Sequence, residues 1–320
     1  MKITVLGTGA LGIAMAKVLF NNGQKNICMW TKFEEEKELI EKERENSKLL
    51  KGVKIPQEIK ITNDIEEALK ESELIINCLP FVAINSTAQL LKPYYKEQLI
   101  CSTTKGIDME TFKTTTEILE EVLNTNKVCA LSGPSFAIEI ANNETIYFIL
   151  AGNNNEASEE IYKTIKNDNF IIELSNDPVG VQICGAVKNA VAIGSGMLHG
   201  MKSADSTKAA YLARGINDIM KVIKSLGGKE ETMHTYAGIG DLILTCMSEK
   251  SRNFSCGKLI GQGYTLSESV EKLDGKTVEG IKVIESLNRY IKEKDITLDT
   301  VPKLYNIIFN GEKLDIIKKI

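Results

Sequence analysis

The chain is poor in the residues that mark specialised protein classes. Arginine occupies only four positions, Arg44, Arg214, Arg252 and Arg289, and histidine only two, in 320 residues. The 39 basic side chains are outnumbered by 43 acidic ones, for a net charge of -4. The basic excess of a nucleic-acid binder is therefore missing. The seven cysteines are odd in number and include no C-x-x-C pair. They read as free thiols of a reducing compartment, several of them small core residues, and not as bridges or metal ligands. No uninterrupted apolar run approaches the ~18–20 residues that cross a bilayer. The opening Met1–Gly7 has too short an apolar stretch for a signal peptide, so a cytoplasmic protein is expected. What remains is ordinary globular composition, 43% hydrophobic and 26% charged, at a length that favours two domains.

The first half alternates short β-branched runs with helical segments. Strands are expected at 2–6, 26–30, 74–79, 99–103, 128–132 and 145–151, and helices at 10–21, 32–47, 65–71 and 111–123. That alternation predicts a parallel, doubly wound α/β domain with right-handed crossovers. After about Pro178 the strand signals stop. Segments 180–200, 204–226, 240–247, 265–273, 279–293 and 300–309 read as helical or turn-like. The expected division is residues 1–178, α/β, and residues 179–320, all-helical. The charge-rich stretch 34–48 reads as a solvated helix face.

Gly7-Thr8-Gly9-Ala10-Leu11-Gly12 follows the first strand and opens the first helix. In this setting Gly7 permits the tight turn, Gly9 lets backbone approach a pyrophosphate, and Gly12 lets helix pack on strand. The second strand should then choose the nicotinamide cofactor. It ends Trp30-Thr31-Lys32, with no acid before Glu34 to accept from a ribose 2′-hydroxyl. Lys32 would instead neutralise a 2′-phosphate. NADPH or NADH is expected as cofactor, with NADPH favoured.

More specific runs follow in order: Thr104-Lys105-Gly106-Ile107, Ser132-Gly133-Pro134-Ser135-Phe136-Ala137, Gly185-Ala186-Val187-Lys188-Asn189, Gly238-Ile239-Gly240-Asp241-Leu242, Ser251-Arg252-Asn253 and Val278-Glu279-Gly280. With the glycine loop, this set resembles the NAD(P)-dependent glycerol-3-phosphate dehydrogenases of the bacterial biosynthetic type, over nearly the whole chain. The resemblance implies a Rossmann domain followed by a helical domain like that of 6-phosphogluconate dehydrogenase. It implies an oxidoreductase interconverting dihydroxyacetone phosphate and sn-glycerol 3-phosphate for phospholipid synthesis, working as a homodimer. By matching position, Lys188 resembles the catalytic acid/base. Lys105, Gly133, Ser135, Asp241, Ser251, Arg252 and Asn253 resemble the substrate shell. Ala10, Leu11, Lys105, Ala137, Arg252, Thr277 and Glu279 resemble cofactor contacts. Ala10-Leu11 departs from the Ser-Trp of many relatives, Lys32 from an arginine, and Thr277 from a valine.

Physical chemistry gives these positions sense. Hydride addition to a ketone leaves an alkoxide that must be stabilised and protonated, which a lysine ammonium can do. Lys188 has small apolar sequence neighbours and none that is charged, so burial should lower its pKa, whereas a nearby aspartate would raise it. Asp241 reads as a helix cap or first-turn residue and, as a site residue, as the group that orients Lys188 or accepts from a substrate hydroxyl. Thr245, four residues on, shares its helical face and is expected to reach the substrate. Arg252 offers a planar fork to a phosphate, Asn253 an amide, and Lys105 lies where a strand ends, at the edge where open sheets bind ligands. His199 and His234 fit structural or surface roles, and no metal is expected. Two other readings are a β-hydroxyacid dehydrogenase acting on a small carboxylate, and a non-catalytic NADP(H)-sensing regulator. The latter would need no Lys188.

Overall fold

The computed structural model describes residues 1–108, 110–275 and 277–319. Its first elements are β1 (Ile3–Leu6), α1 (Ala10–Asn21), β2 (Ile27–Trp30), α2 (Glu34–Glu43), β3 (Lys60–Thr62), α3 (Ile65–Leu69), β4 (Leu74–Asn77), α4 (Ile84–Leu91), β5 (Leu99–Ser102), α5 (Thr115–Leu123), β6 (Val128–Ser132), α6 (Ala137–Ala141), β7 (Ile146–Gly152), α7 (Asn155–Ile165) and β8 (Phe170–Ser175). The strands form one sheet in the order β3-β2-β1-β4-β5-β6-β7-β8. Strands β1 to β6 run parallel, with Ile3 opposite both Ile27 and Leu74. The reversal of strand order on either side of β1 is the switch point at which doubly wound sheets bind ligands.

The expected all-parallel sheet needs one correction. β7 runs antiparallel to β6, with Ser132 opposite Ile149, and β8 then runs parallel to β7. The two edge strands, β8 and β3, escape sequence reading for a physical reason. β3 is three residues long, and β8 alternates Phe170 and Ile172 inside with Ile171 and Glu173 outside, as an edge strand does.

The remaining helices are α8 (Pro178–Gly200), α9 (Asp205–Ser225), α10 (Asp241–Met247), α11 (Arg252–Gly261), α12 (Leu266–Glu271), α13 (Glu279–Lys294) and α14 (Val301–Asn310). The chain divides into two compact units, Met1–Gly106 with Lys113–Pro178, and Ile107–Phe112 with Val179–Ile320. The short excursion follows from hydrophobic burial. Ile107 and Phe112 lie in the helical core, the Phe112 ring 4.3 Å from that of Tyr290. The helix expected from residue 111 accordingly begins at Thr115, capped by a reciprocal Thr114–Glu117 box. α8 is long and apolar enough to cross a membrane by hydropathy alone, but its whole apolar window is buried inside the protein. All seven cysteines are free, and burial pushes Cys246 up to about 12 and Cys28 and Cys256 up to about 11.

Candidate active-site groups of the two units

In the sheet unit, the glycine loop has the geometry its spacing predicts. Gly7 has φ +103, a conformation that strains any residue with a Cβ, and a Cβ at Gly12 would run into the Gly7 carbonyl. Gly9 differs: a Cβ there would meet nothing within 4 Å. It is the N-cap of α1, with no capping side chain and no acid in the first turn. The open helix N-terminus is thus left for an anion. Beside it the Thr8 hydroxyl, on a residue only 2% exposed, has no hydrogen-bond partner among the described residues. The loop therefore fits a pyrophosphate on three counts: free space at Gly9, uncapped amides and an orphaned buried hydroxyl.

Other groups gather along the carboxyl ends of the strands. Asn77, closing β4, donates to Ser102 Oγ at 2.9 Å and to Thr104 Oγ1 at 3.1 Å. Thr104 donates to the Leu79 carbonyl at 2.7 Å, which fixes the loop before Lys105. Lys105 Nζ then reaches the Gly133 carbonyl at 3.5 Å, and Ser135 Oγ donates to the same oxygen at 3.2 Å. Gly133 is required because a Cβ would strike the Tyr147 carbonyl of the antiparallel β7. The Ser132 hydroxyl, buried at the end of β6, also has no partner among the described residues.

In the helical unit, the central feature is a buried ion pair. Lys188 Nζ lies 2.6 Å from Asp241 Oδ1, the two side chains 7% and 1% exposed. The ammonium also donates to Thr245 Oγ1 at 2.7 Å, and that hydroxyl donates to the Asp241 carbonyl at 2.6 Å. The charged partner of Lys188, absent from its sequence neighbours, is brought from 53 positions away by helix packing, and one reading of Asp241 is corrected. Asp241 is not a helix cap, because a π-helical turn over Tyr236–Gly240 runs directly into α10. Such turns widen the helix and re-aim the residue that follows.

Glycines set the distances around this pair. Gly196 and Gly200 of α8 face the Phe254 and Lys258 carbonyls of α11. Gly257 and Gly261 of α11 face the Ile193 and Met197 carbonyls of α8. With no Cβ on either side, the two backbones touch, and the start of α11 is held near the middle of α8. Gly280 likewise abuts the Asn189 carbonyl, so the start of α13 closes on α8 as well. Two amides stitch these helix starts together. Asn253 Oδ1 accepts from Gly280 N at 2.9 Å, and Asn189 Nδ2 donates to Glu279 Oε2 at 3.4 Å. Ser251 caps α11 by accepting from Phe254 N, whereas Arg252 in its first turn is exposed. A cation at a helix N-terminus is locally unfavourable, so helix stability does not explain that arginine.

Comparison with known proteins identifies the family. Residues 2–158 match the family profile described as NAD-dependent glycerol-3-phosphate dehydrogenase N-terminus, and residues 177–319 match that of its C-terminus. The chain belongs to this family. A Clostridium acetobutylicum glycerol-3-phosphate dehydrogenase [NAD(P)+] is 36% identical over 97% of this chain and 93% of its own length. A Fusobacterium nucleatum protein of the same name is 34% identical over 98% and 93%. The crystal structure of glycerol-3-phosphate dehydrogenase from Coxiella burnetii superposes with a TM-score of 0.92 at 27% identity, covering 99% of this chain and 97% of that one.

Within the family frame, the expected residues fall into two groups. Lys105, Gly133 and Ser135 meet in the sheet unit, while Lys188, Asp241 and Thr245 meet in the helical one. Ala10 and Leu11 are half-buried in the first turn of α1, Ala137 opens α6, and Lys32 and Thr277 are exposed. Asn253 was expected as an amide donor, and its carbonyl oxygen accepts from Gly280 N, a bond that engages the acceptor end of the amide and not the donor end. Sequence reasoning gave no role to Asn189, although it adjoins Lys188 in the same motif, or to Asn46, whose amide reaches the glycine loop at Thr8 O, 3.3 Å. It also passed over Arg44, a scarce arginine that is 8% exposed and donates to the carbonyls of Ile55, Pro56 and Ile59.

Proposed function

We propose that the protein interconverts dihydroxyacetone phosphate and sn-glycerol 3-phosphate with NADPH or NADH, supplying glycerol 3-phosphate to phospholipid synthesis. The observation that carries this reading is the buried Lys188–Asp241–Thr245 cluster, with its Nζ 2.6 Å from a carboxylate and 2.7 Å from a hydroxyl. A bound nicotinamide supplies the hydride to the substrate's carbonyl carbon, or takes it back in reverse. The residues do the rest. Gly7, Gly9 and Gly12, with the first-turn amides of Ala10 and Leu11, hold the pyrophosphate. Residues 1–178 serve mainly the cofactor, and residues 179–320 carry the proton chemistry.

Lys188 donates a hydrogen bond to the carbonyl oxygen, then its proton as the alkoxide forms, and regains one from solvent. Asp241 holds that ammonium and balances its charge, which makes burial of the lysine tolerable. Thr245 fixes the direction of Nζ. Arg252 and Asn253, at the capped start of α11, bind the substrate phosphate, with Ser251 as their cap. Lys105, Gly133 and Ser135 complete the substrate shell. Ala137, Lys32, Thr277 and Glu279 join Lys105 and Arg252 as cofactor contacts. The same reading makes the protein a cytoplasmic homodimer, which light scattering of the purified chain tests. The enzymatic test is loss of nicotinamide absorbance when purified protein meets NADPH or NADH with dihydroxyacetone phosphate. Substrate-dependent oxidation is expected, and its absence with both cofactors would refute the assignment.

A further inference from the structure

In dinucleotide-binding folds the adenosine ribose is read by a carboxylate at the end of the second strand, about 20 residues after the glycine motif. This chain has Thr31 there, followed by Lys32, and the strand end alone points to a 2′-phosphate. The structure returns a carboxylate to that place from another element. Thr31 Oγ1 donates to Glu36 Oε2 of α2 at 2.5 Å. The other oxygen, Glu36 Oε1, accepts from Asn46 Nδ2 at 3.3 Å. The same amide donates to the Thr8 carbonyl at 3.3 Å, in the middle of the glycine loop. One carboxylate is thus tied both to the end of β2 and to the loop that receives the pyrophosphate.

The tether is built firmly. Asn46 is 5% exposed, and Arg44 pins its segment to the carbonyls of Ile55, Pro56 and Ile59. Glu36 is itself half-buried, so it cannot swing away as a surface glutamate would, whereas Lys32 is exposed. The orphaned Thr8 hydroxyl, on a residue 2% exposed, is a separate sign that a polar ligand completes this corner. The charge balance favours a ribose over its phosphate. Glu34, Glu35 and Glu36 form the first turn of α2, and Lys37 is engaged with Glu34 at 3.0 Å. A 2′-phosphate would bring further negative charge against a fixed carboxylate, while a free 2′-hydroxyl would donate to it.

We propose that Glu36 reads the adenosine ribose and selects NADH over NADPH, reversing the preference that Lys32 suggests. This rests on the dinucleotide reading of the glycine loop. The test is calorimetric titration of the purified full-length protein with NADH and NADPH, and with the fragments ADP and 2′-phospho-ADP. NADH should bind at least about tenfold tighter than NADPH, equivalent to about 1.4 kcal/mol, with ADP ahead of its 2′-phosphate in the same sense. Glu36→Gln should cut the preference to about threefold or less, since an amide neither repels phosphate nor accepts as strongly. A wild-type protein that binds NADPH as tightly as NADH would overturn the assignment. So would a folded Glu36→Gln variant with an unchanged ratio. If Glu36→Gln does not fold, the wild-type ratios for dinucleotides and fragments decide. Binding of neither dinucleotide would refute the cofactor reading itself, whereas binding of both with NADPH preferred refutes only the role of Glu36.

Discussion

At the carboxyl edge of the sheet, the groups set out for an anion are mainly backbone: uncapped amides at the start of α1, open space at Gly9 and one orphaned hydroxyl on Thr8. In the helical unit the groups proposed for the chemistry are side chains, a lysine and an aspartate buried together at 2.6 Å. The difference follows from what each must do. A pyrophosphate needs only oriented N–H groups, which a strand–turn–helix supplies locally. A proton donor needs a titratable atom held in one place, which takes several helices and a compensating charge. The first arrangement depends on local conformation, and the second on packing between distant segments.

That contrast can be broken at several points. Gly12→Ala should have the largest effect, because its Cβ would strike the Gly7 carbonyl. Denaturant melts should show a loss of about 3 kcal/mol, and dinucleotide binding should vanish. Asp241→Asn keeps the shape of the buried pair but removes its negative charge. It should lower kcat/KM about 100-fold, about 2.7 kcal/mol, with dinucleotide affinity kept. The alkaline limb of its rate profile should move to lower pH, because the ammonium loses its partner.

Asp218 probes the helical unit away from the proposed chemistry. It is fully buried and accepts from Asp299 N, Thr300 N and Thr300 Oγ1, the last at 2.6 Å. Burial outweighs these bonds and raises its pKa. The folded state therefore keeps a proton that the unfolded chain releases near pH ~3.9. The stability this group contributes is complete below that pH and declines as pH rises through the higher folded value. Asp218→Asn should cost about 2 kcal/mol in acid, with the difference from wild type shrinking toward neutral pH, as urea melts at the two ends would show. Gly9→Ala is the mildest change. Its Cβ meets no protein atom, so melting should be unaffected while dinucleotide affinity falls about tenfold, about 1.4 kcal/mol.

The sequence was most legible where function is local. The glycine loop could be read from six consecutive residues, and β1, β2, β4, β5 and β6 from continuous buried runs such as Leu74–Asn77. α4, α6, α7 and α11 were not expected. α6 has only five residues, and α11 opens with the polar Arg252-Asn253, which masks its helical start. Lys188 and Asp241 were each singled out, but their pairing was only one of the roles foreseen for Asp241. It depends on a π-turn and on glycines from α8 and α11, which no spacing rule within one segment reveals. The Glu36–Asn46–Thr8 tether was hidden for the same reason, since its members lie as much as 38 positions apart. What stayed illegible was contact between segments, and there the polar residues matter most.

The division between backbone cofactor binding and side-chain proton donation is tested most directly by Lys188→Ala. The purified variant is titrated with NADH and assayed with dihydroxyacetone phosphate beside the wild type. Turnover should fall by about 100- to 10,000-fold, the range expected for loss of a general acid, while the dissociation constant for NADH stays within about threefold. A variant that still turns over near the wild-type rate, or one that folds but no longer binds NADH, would contradict that division.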